Sequence, residues 1–275
     1  MRRVHLRETD STNQRAAQLA GQWVAGGRTP GPALVSAEIQ TAGRGRTGRA
    51  WRSPRGGAYF SIAYPWRGSE ADAGRIPLAV GLAVRQAIVK TFDLEPDRLR
   101  VKWPNDLLLD GRKLAGVMCE RVMPGVTPDQ GAATADPTMH RQSSGWSPIV
   151  VGVGVNVTGP GPDAHDCRLP PIKLSEALKT EVSPARVVEA CGDAVVGGLA
   201  ELEQSGWGTD QAARLTDVLA WVGRAVRVSS AGPVVEGVVA CVDPQGRLVI
   251  HNLSTGGETA CASGELALVE VDTPA

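Results

Sequence analysis

The sequence predicts an α+β protein in two parts, a larger mixed region over residues 1–220 and a small β region over residues 221–275. Three observations lead to this prediction. Up to residue 220, segments with strand-like alternation and segments with helical spacing of apolar residues follow one another. Beyond that point, short strand-like runs are separated by turn residues, which is typical of a small β-barrel. The 275 residues, 42% of them hydrophobic, fit either one large domain or one medium domain and a small one.

The individual elements follow from periodicity and from residues that stop helices and strands. We predict strands in the larger part over residues 4–7, 33–37, 58–64, 99–102, 107–109, 113–120 and 149–157. Helices are predicted over residues 12–26, 76–92, 184–204 and 209–220. The C-terminal strands are predicted over residues 225–229, 234–242, 247–251, 258–261 and 265–269. Residues 123–148 are rich in Pro, Gly, Ser and Thr without periodicity, which predicts a flexible insertion.

The composition argues against several classes of protein. The formal net charge is zero, so no global field draws the chain to nucleic acid or anionic lipid, and anion binding must come from local clusters. Five scattered cysteines without a paired spacing argue against a disulfide framework or a zinc site. No apolar signal core follows Met1, and no apolar run is long enough to span a bilayer. We therefore expect a cytoplasmic protein without a membrane partner.

The sharpest local feature is the segment GRGRTGRAW over residues 43–51, which follows a predicted strand. Its glycines let the backbone approach a ligand closely, and its arginines present planar donor groups that suit phosphate and carboxylate oxygens. Such a loop can close over an anion and exclude water from a labile intermediate. The residues alone leave three interpretations open: this catalytic loop, a solvated basic loop, or an Arg/Gly-type contact to nucleic acid.

A second feature is KWPND over residues 102–106. Pro104 cannot continue a strand ladder, so the strand is expected to end there and to expose Asn105 and Asp106. A carboxylate beside a carboxamide at a strand end suits Mg²⁺ and a triphosphate, because Mg²⁺ prefers oxygen ligands and usually bridges phosphates.

The motif KLAG over residues 113–116 follows shortly after, and Asp-Gly between the two apolar runs predicts a hairpin. Lys113 then lies across the hairpin from Lys102, so both lysines are placed to face one pocket. A lysine there would stabilise charge that builds up on an α-phosphate. The alternative is that both are exposed lysines that guard a sheet edge.

A third feature is GVGVN over residues 152–156. It begins like a dinucleotide-binding fingerprint, but that fingerprint needs a third glycine where Val157 stands, and no helix opens there. Buried strand glycines also mark a close approach of backbone or ligand, so Gly152 and Gly154 are candidates for a pocket floor, with Asn156 as a polar anchor. Ordinary strand packing is the alternative.

Taken in order, these motifs resemble those of biotin–protein ligases: an early Ser11-Thr12-Asn13, then Gln40, GRGRTGRAW, KWPND, KLAG and GVGVN. The resemblance covers roughly residues 4 to 270, and the arginine- and lysine-centred motifs are specific to that family. It implies a catalytic domain related to class II aminoacyl-tRNA synthetases, with a mixed sheet and flanking helices, followed by a small SH3-like β-barrel. It also implies activation of biotin with ATP to biotinyl-5′-adenylate and transfer of the biotin to a lysine of a carrier protein.

The resemblance also implies roles for individual residues. For biotin they are Ser11, Thr12, Asn13, Gln40, Arg44, Gly45, Arg46, Trp51, Lys113, Gly116, Gly152 and Gly154. For ATP they are Lys102, Asn105, Asp106 and Asn156, with Asp106 as a Mg²⁺ ligand. Lys113 is implied as the main catalytic residue, beside the biotin carboxylate and the α-phosphate, and Arg46 as a second one that helps to retain the adenylate.

The same resemblance implies ATP and Mg²⁺ as co-substrate and activator, biotin as substrate, and no tightly bound prosthetic group. The expected partner is the biotin carboxyl carrier domain of a biotin-dependent carboxylase, with no DNA. Some family members begin with a DNA-binding helix-turn-helix; because Val4 opens the predicted catalytic domain, we expect a ligase without repressor function. Two other interpretations are a lipoate–protein ligase, which shares fold and acyl-adenylate chemistry, and, more distantly, a nucleic-acid-binding module that uses the Arg/Gly loop.

Overall fold

The computed structural model describes residues 1–26, 30–122, 145–160, 168–230 and 232–269. It contains a seven-stranded sheet with helices on both faces and, C-terminal to it, a five-stranded sheet. The predicted α+β class is therefore confirmed.

The larger sheet has mixed topology. Its strands are β1 (Arg2–Thr9), β2 (Ala33–Gln40), β3 (Ala58–Trp66), β4 (Leu99–Lys102), β5 (Asp106–Leu109), β6 (Arg112–Arg121) and β7 (Ser147–Val155). Their order is β1-β2-β3-β7-β6-β5-β4; β1 and β2 are parallel, and the other neighbours are antiparallel. Residues 152–155 of the GVGVN motif thus lie on the central strand, between β3 and β6, and Asn156 follows its end.

The helices cover the two faces of this sheet unequally. They are α1 (Thr12–Gly26), α2 (Glu70–Ala73), α3 (Ile76–Thr91), α4 (Leu174–Leu178), α5 (Pro184–Ser205) and α6 (Thr209–Asp217). Successive strand residues point to opposite faces. Leu34 belongs to the main core on the side of α3 and α5, whereas its neighbour Val35 packs with Ala16 and Ala20 of α1. Gly152 and Gly154 share their face with Val150, which packs with α1, so the motif glycines lie on the α1 face.

The C-terminal sheet is antiparallel and sits against the KWPND segment. Its strands are β8 (Ala225–Ser229), β9 (Val235–Val242), β10 (Leu248–Asn252), β11 (Glu258–Cys261) and β12 (Glu265–Leu268), in the order β11-β10-β9-β8-β12. Trp103 is 1% exposed, and its Nε1 donates to Gly246 O at 3.1 Å. Val101 N donates to Val218 O at 2.9 Å, and Ala220 N donates back to Val101 O at 2.8 Å.

All the helices and strands predicted from the sequence are present, but some ends differ. β7 begins at Ser147, inside the predicted insertion, because Ser147 and Pro148 continue the pairing with β3 as far as Trp66. The rest of that insertion, residues 123–144, lies outside the described residues. α6 ends at Asp217 and not at residue 220, since the chain there turns to bond with Val101. The domain boundary at residue 220 stays a prediction. In the described part of the chain, no helix is long and apolar enough to cross a membrane.

The cysteines that the structure describes are buried or partly buried. Cys119, Cys191, Cys241 and Cys261 are free, and burial raises the pKa of the Cys119 and Cys191 thiols to about 12. Cys167 lies outside the described residues. Thiols held this far from ionisation are poor nucleophiles at neutral pH.

Candidate active site

A cavity of about 760 Å³ lies on the α1 face of the larger sheet, between the Arg/Gly loop (residues 43–51) and the C-terminal sheet. This volume is in the usual range for small-molecule sites, roughly 300–1,000 Å³. Every residue to which the resemblance gives a role lines it: Ser11, Thr12, Asn13, Gln40, Arg44, Gly45, Arg46, Trp51, Lys102, Asn105, Asp106, Lys113, Gly116, Gly152, Gly154 and Asn156. The fold therefore assembles residues from α1, five strands and a loop into one site.

At one end of the cavity, the N-terminus of α1 is tied to the end of β2. Gln40 Oε1 accepts from the Thr12 backbone N at 2.8 Å and from Thr12 Oγ1 at 3.0 Å. Gln40 Nε2 donates to Ser53 Oγ at 2.7 Å, which holds the amide in this orientation. The first turn of a helix has backbone donors without helical partners, and here Gln40 satisfies one of them. The resemblance grouped Gln40 with Ser11-Thr12-Asn13, and the structure places Gln40 in contact with Thr12 of that segment.

Asn13 continues this hydrogen-bonding end. Its Oδ1 lies 2.6 Å from Ser61 Oγ, and its Nδ2 donates to Glu120 Oε2 at 2.7 Å. Ser61, on β3, is fully buried, and its Oγ also lies 2.8 Å from Thr12 Oγ1. A Cβ at Gly152 would overlap the Asn13 amide oxygen, so the strand glycine is needed to seat this side chain.

The Arg/Gly loop folds back on itself. Gly45 N donates to Arg49 O at 2.7 Å, and Trp51 N donates to Gly43 O at 2.9 Å. Gly48 has a φ of 73°, a left-handed conformation that glycine adopts without strain. A Cβ at Gly43 would overlap the Trp51 carbonyl oxygen. Gly43 and Gly48 are therefore required by the shape of the loop itself.

The loop arginines contact acceptors of the protein. The pairs join the loop to three different elements: Arg44 to Glu120, Arg46 to Asn105, and Arg49 to Glu265. A loop that presents its guanidinium groups to nucleic acid would leave them exposed to phosphate. This arrangement instead favours a site in which the arginines line a pocket.

Trp51 forms one wall of the cavity and explains two motif glycines. A Cβ at Gly154 would lie 2.6 Å from Trp51 Nε1, and one at Gly116 would lie 3.1 Å from Trp51 Cζ3. The indole therefore rests on the bare backbone of β7 and β6. Lys113 Nζ lies 5.2 Å from the ring centroid, within cation–π range. Trp51 Nε1 is buried and has no hydrogen-bond partner among the described residues.

The other end of the cavity is cationic. Asp106 lies between two lysines, with Oδ1 2.8 Å from Lys113 Nζ and Oδ2 3.6 Å from Lys102 Nζ. Burial lowers the pKa of Lys102, and the Asp106 carboxylate partly offsets this effect. Lys102 Nζ also lies 5.4 Å from the Trp221 ring centroid. The alternative interpretation of Lys102 as an exposed edge lysine is wrong, because only 9% of its side chain is exposed.

Asn105 and Asp106 differ from the prediction in one respect. β4 ends before Pro104, as predicted, but Asp106 is buried and Asn105 is half-buried. Asn105 Nδ2 donates to Val117 O at 2.9 Å, and Asn105 Oδ1 accepts from Arg46 Nη1 at 2.8 Å. These contacts turn both side chains into the cavity wall and away from solvent. Burial lowers the pKa of Arg46 from its ordinary value, but a guanidinium stays charged at any physiological pH.

Three residues at the site were not singled out from the sequence. Ser61 and Glu120 hold Asn13, and Glu265 of β12 pairs with Arg49 and with Arg168 at the mouth of the cavity. Ser61 interrupts an otherwise apolar strand, a signal that could have indicated it. Glu120 and Glu265 carry no such signal, because their partners are far away along the chain.

Comparison with known proteins agrees with this geometry. Residues 7–137 match the model of the biotin/lipoate A/B protein ligase family. The chain is 28% identical, over 261 residues, to a biotin–[acetyl-CoA-carboxylase] ligase of Paracoccus denitrificans, with 90% of this chain and 92% of that protein covered. A bifunctional ligase/repressor BirA of Escherichia coli is 36% identical over 150 residues, which are 54% of this chain and 38% of that protein.

Solved structures resemble the whole described fold. A biotin protein ligase from Aquifex aeolicus in complex with biotin and ATP has a TM-score of 0.74 and 22% identity, with 98% of both chains covered. One from Leishmania major in complex with biotinyl-5-AMP has a TM-score of 0.62 and 19% identity, with 98% of this chain and 99% of that chain covered. The mixed sheet with flanking helices and a C-terminal β-sheet, which the resemblance implied, is thereby confirmed.

Proposed function

We propose that this protein activates biotin with ATP to biotinyl-5′-adenylate and then transfers the biotin to a lysine of a biotin carboxyl carrier domain. The observation that carries the proposal is the two-ended cavity. One end offers the hydroxyls and amides of the α1 network, and the other offers Lys102, Lys113 and Arg46. Biotin has a neutral ureido ring at one end and a carboxylate at the other, so it matches both ends in one orientation.

The chemistry requires little more than placement and charge. The biotin carboxylate attacks the α-phosphorus of ATP, a P–O bond forms, and pyrophosphate leaves with the electron pair of the bond that breaks. Lys113, whose side chain is 28% exposed and reaches the cavity, stabilises the negative charge that develops on the α-phosphoryl oxygens. The amine of the carrier lysine then attacks the anhydride carbonyl, and AMP leaves. No covalent nucleophile of the enzyme is needed.

Asp106 does not fit the role of a direct Mg²⁺ ligand. Both of its oxygens face lysine ammonium groups, and a carboxylate neutralised in this way is a weak site for a dication. Among the described residues, no cluster of three or more His, Cys, Asp or Glu side chains could hold a metal ion. We infer that Mg²⁺ arrives with ATP, held by the phosphates, and that Asp106 positions the two lysines.

The carrier protein is inferred from a relative, and the cellular location from the sequence. Because the Paracoccus relative is named for acetyl-CoA carboxylase, we propose a biotin carboxyl carrier domain of a biotin-dependent carboxylase as the acceptor. The location in the cytoplasm stays a prediction from the sequence.

The decisive experiment is exchange of radiolabelled pyrophosphate into ATP, measured with biotin, with lipoate and with neither. We expect exchange that depends on biotin, since the hydroxyls and amides at the α1 end of the cavity can hydrogen-bond to a ureido group. Lipoate has no ureido group, so exchange driven by lipoate alone would show that the substrate is wrong. Exchange with neither compound would contradict the proposed adenylation.

Replacement of Arg46 tests retention of the intermediate. We expect Arg46→Ala to release biotinyl-adenylate roughly tenfold faster or more, because the guanidinium is a charged donor worth about 1.5–3 kcal/mol per hydrogen bond. The measurement is the rate of adenylate loss from the enzyme in a chase with unlabelled biotin. Arg85→Ala is a control, because Arg85 is a half-buried arginine on α3 that bonds to the Leu99 and Pro96 carbonyls away from the cavity. An unchanged rate for Arg46→Ala would remove the retaining role.

A further inference from the structure

Glu120, on β6, lies beside the hydrogen-bonding end of the cavity and contacts two residues that line it, Asn13 and Arg44. Its Oε2 accepts from Asn13 Nδ2 at 2.7 Å. Its Oε1 lies 3.2 Å from Arg44 Nη2. Asn13 belongs to α1, Arg44 to the Arg/Gly loop and Glu120 to β6. One carboxylate therefore connects a helix, a loop and the sheet at the place where the substrate would bind.

The contact with Asn13 decides which way its amide faces. A carboxylate only accepts hydrogen bonds, so Asn13 must turn its Nδ2 toward Glu120. Oδ1 then faces the hydroxyl of Ser61, 2.6 Å away. The reversed amide would set its oxygen against the carboxylate and leave a buried donor poorly matched, which is costly where water is excluded. In the observed orientation, one Nδ2–H bonds to Glu120, and the second remains for a ligand oxygen.

The contact between Glu120 and Arg44 holds the Arg/Gly loop in place. Arg44 and Ala50 form an isolated bridge at the base of the loop, so holding Arg44 holds the hairpin-like fold that carries Trp51. The Glu120 side chain is 22% exposed and that of Arg44 is 36% exposed. The pair is thus partly shielded from water, where a charged contact is stronger than on the open surface.

From these contacts we propose that Glu120 is a positioning residue for the substrate: it sets the donor that Asn13 offers and anchors the Arg/Gly loop over the site. The proposal rests on the proposed biotin activation. Glu120 itself does not line the cavity and has no part in the chemical step. Its loss should therefore weaken substrate binding while the rate at saturation changes little.

The test compares three purified full-length variants with the wild type. Biotin affinity is measured by calorimetry without ATP, and KM for biotin, KM for ATP and kcat are measured by pyrophosphate exchange. For Glu120→Ala we expect biotin Kd and KM to rise roughly tenfold or more, with KM for ATP and kcat within about twofold of wild type. Glu120→Gln keeps an oxygen for Asn13 but loses the charge for Arg44, so we expect a smaller rise. If the alanine variant does not fold, Glu120→Gln still tests the proposal.

The matched control is Glu38→Ala. Glu38, on β2, pairs with Arg55 beyond the loop, its side chain is 32% exposed, and neither residue belongs to the cavity wall. We expect this variant to leave all four constants unchanged. Wild-type biotin Kd in both Glu120 variants would overturn the proposal, as would parallel increases in KM for biotin and for ATP.

If the proposed biotin activation is wrong, the wild-type protein itself gives a different result. If wild-type exchange requires lipoate, biotin is the wrong substrate, and the same comparison with lipoate decides the role of Glu120. If wild-type protein supports no exchange with either compound, both proposals are wrong.

Discussion

Lys113→Met should slow formation of the adenylate by roughly 10²- to 10³-fold, the usual loss when a preorganised charge at a reacting oxygen is removed. Methionine keeps most of the aliphatic stem beside Trp51, so the loss reports on charge more than on packing. The expected signature is a fall in kcat for pyrophosphate exchange with a smaller change in KM for biotin. Lys113 contacts Asp106 at 2.8 Å, so the melting temperature should be recorded for each variant.

Lys90→Met is the matched control for this experiment. Lys90 is an exposed lysine in the last turn of α3 and has no place in the cavity wall. We expect wild-type exchange from it. Normal exchange by Lys113→Met, at normal stability, would exclude Lys113 as the main catalytic residue and direct attention to Lys102.

Gly154→Ala should weaken biotin binding by roughly 10- to 100-fold, because overpacking by one methyl group costs about 1–3 kcal/mol where the neighbour cannot yield. The added Cβ would lie 2.6 Å from Trp51 Nε1, a separation that forces the indole off the sheet. Gly154 does not have a positive φ, so steric overlap alone drives the effect. Calorimetric titration with biotin measures the loss.

Gly197→Ala provides the control with the opposite sign. Gly197 lies in α5, and a Cβ there would meet no atom within 4 Å. Alanine in a helix interior is preferred over glycine by about 0.5–1 kcal/mol, so this variant should melt at a higher temperature and bind biotin normally. Tight biotin binding by Gly154→Ala would show that Trp51 can move without consequence, and would remove it from the proposed site.

Much of the fold could be predicted from local pattern. The helix over residues 76–91 and the strand pair around Asp110-Gly111 follow from apolar periodicity and from a turn sequence, both of which act over a few residues. Errors occurred where a distant strand decides the end of an element. Ser147 and Pro148 continue β7 only because β3 offers partners as far as Trp66, and nothing in the composition of residues 123–148 indicates this.

For the candidate site too, some features could be predicted from the sequence and others could not. By itself, the sequence determined which chemical groups are present, because the glycines, arginines and lysines of the motifs are recognisable in order along the chain. It also determined that a proline ends β4 next to Asn105. What it could not determine is how those groups are neutralised and oriented.

Only the tertiary structure decided that Asp106 lies between Lys102 and Lys113, that Trp51 rests on Gly154, and that Glu120 connects Asn13 to Arg44. The physical reason is that a pattern in sequence reports interactions over a few residues, whereas burial and charge pairing depend on every group within a few ångströms. In this protein those neighbours come from positions as far apart as Asn13 and Glu120, and the packing of α1 on the larger sheet brings them together.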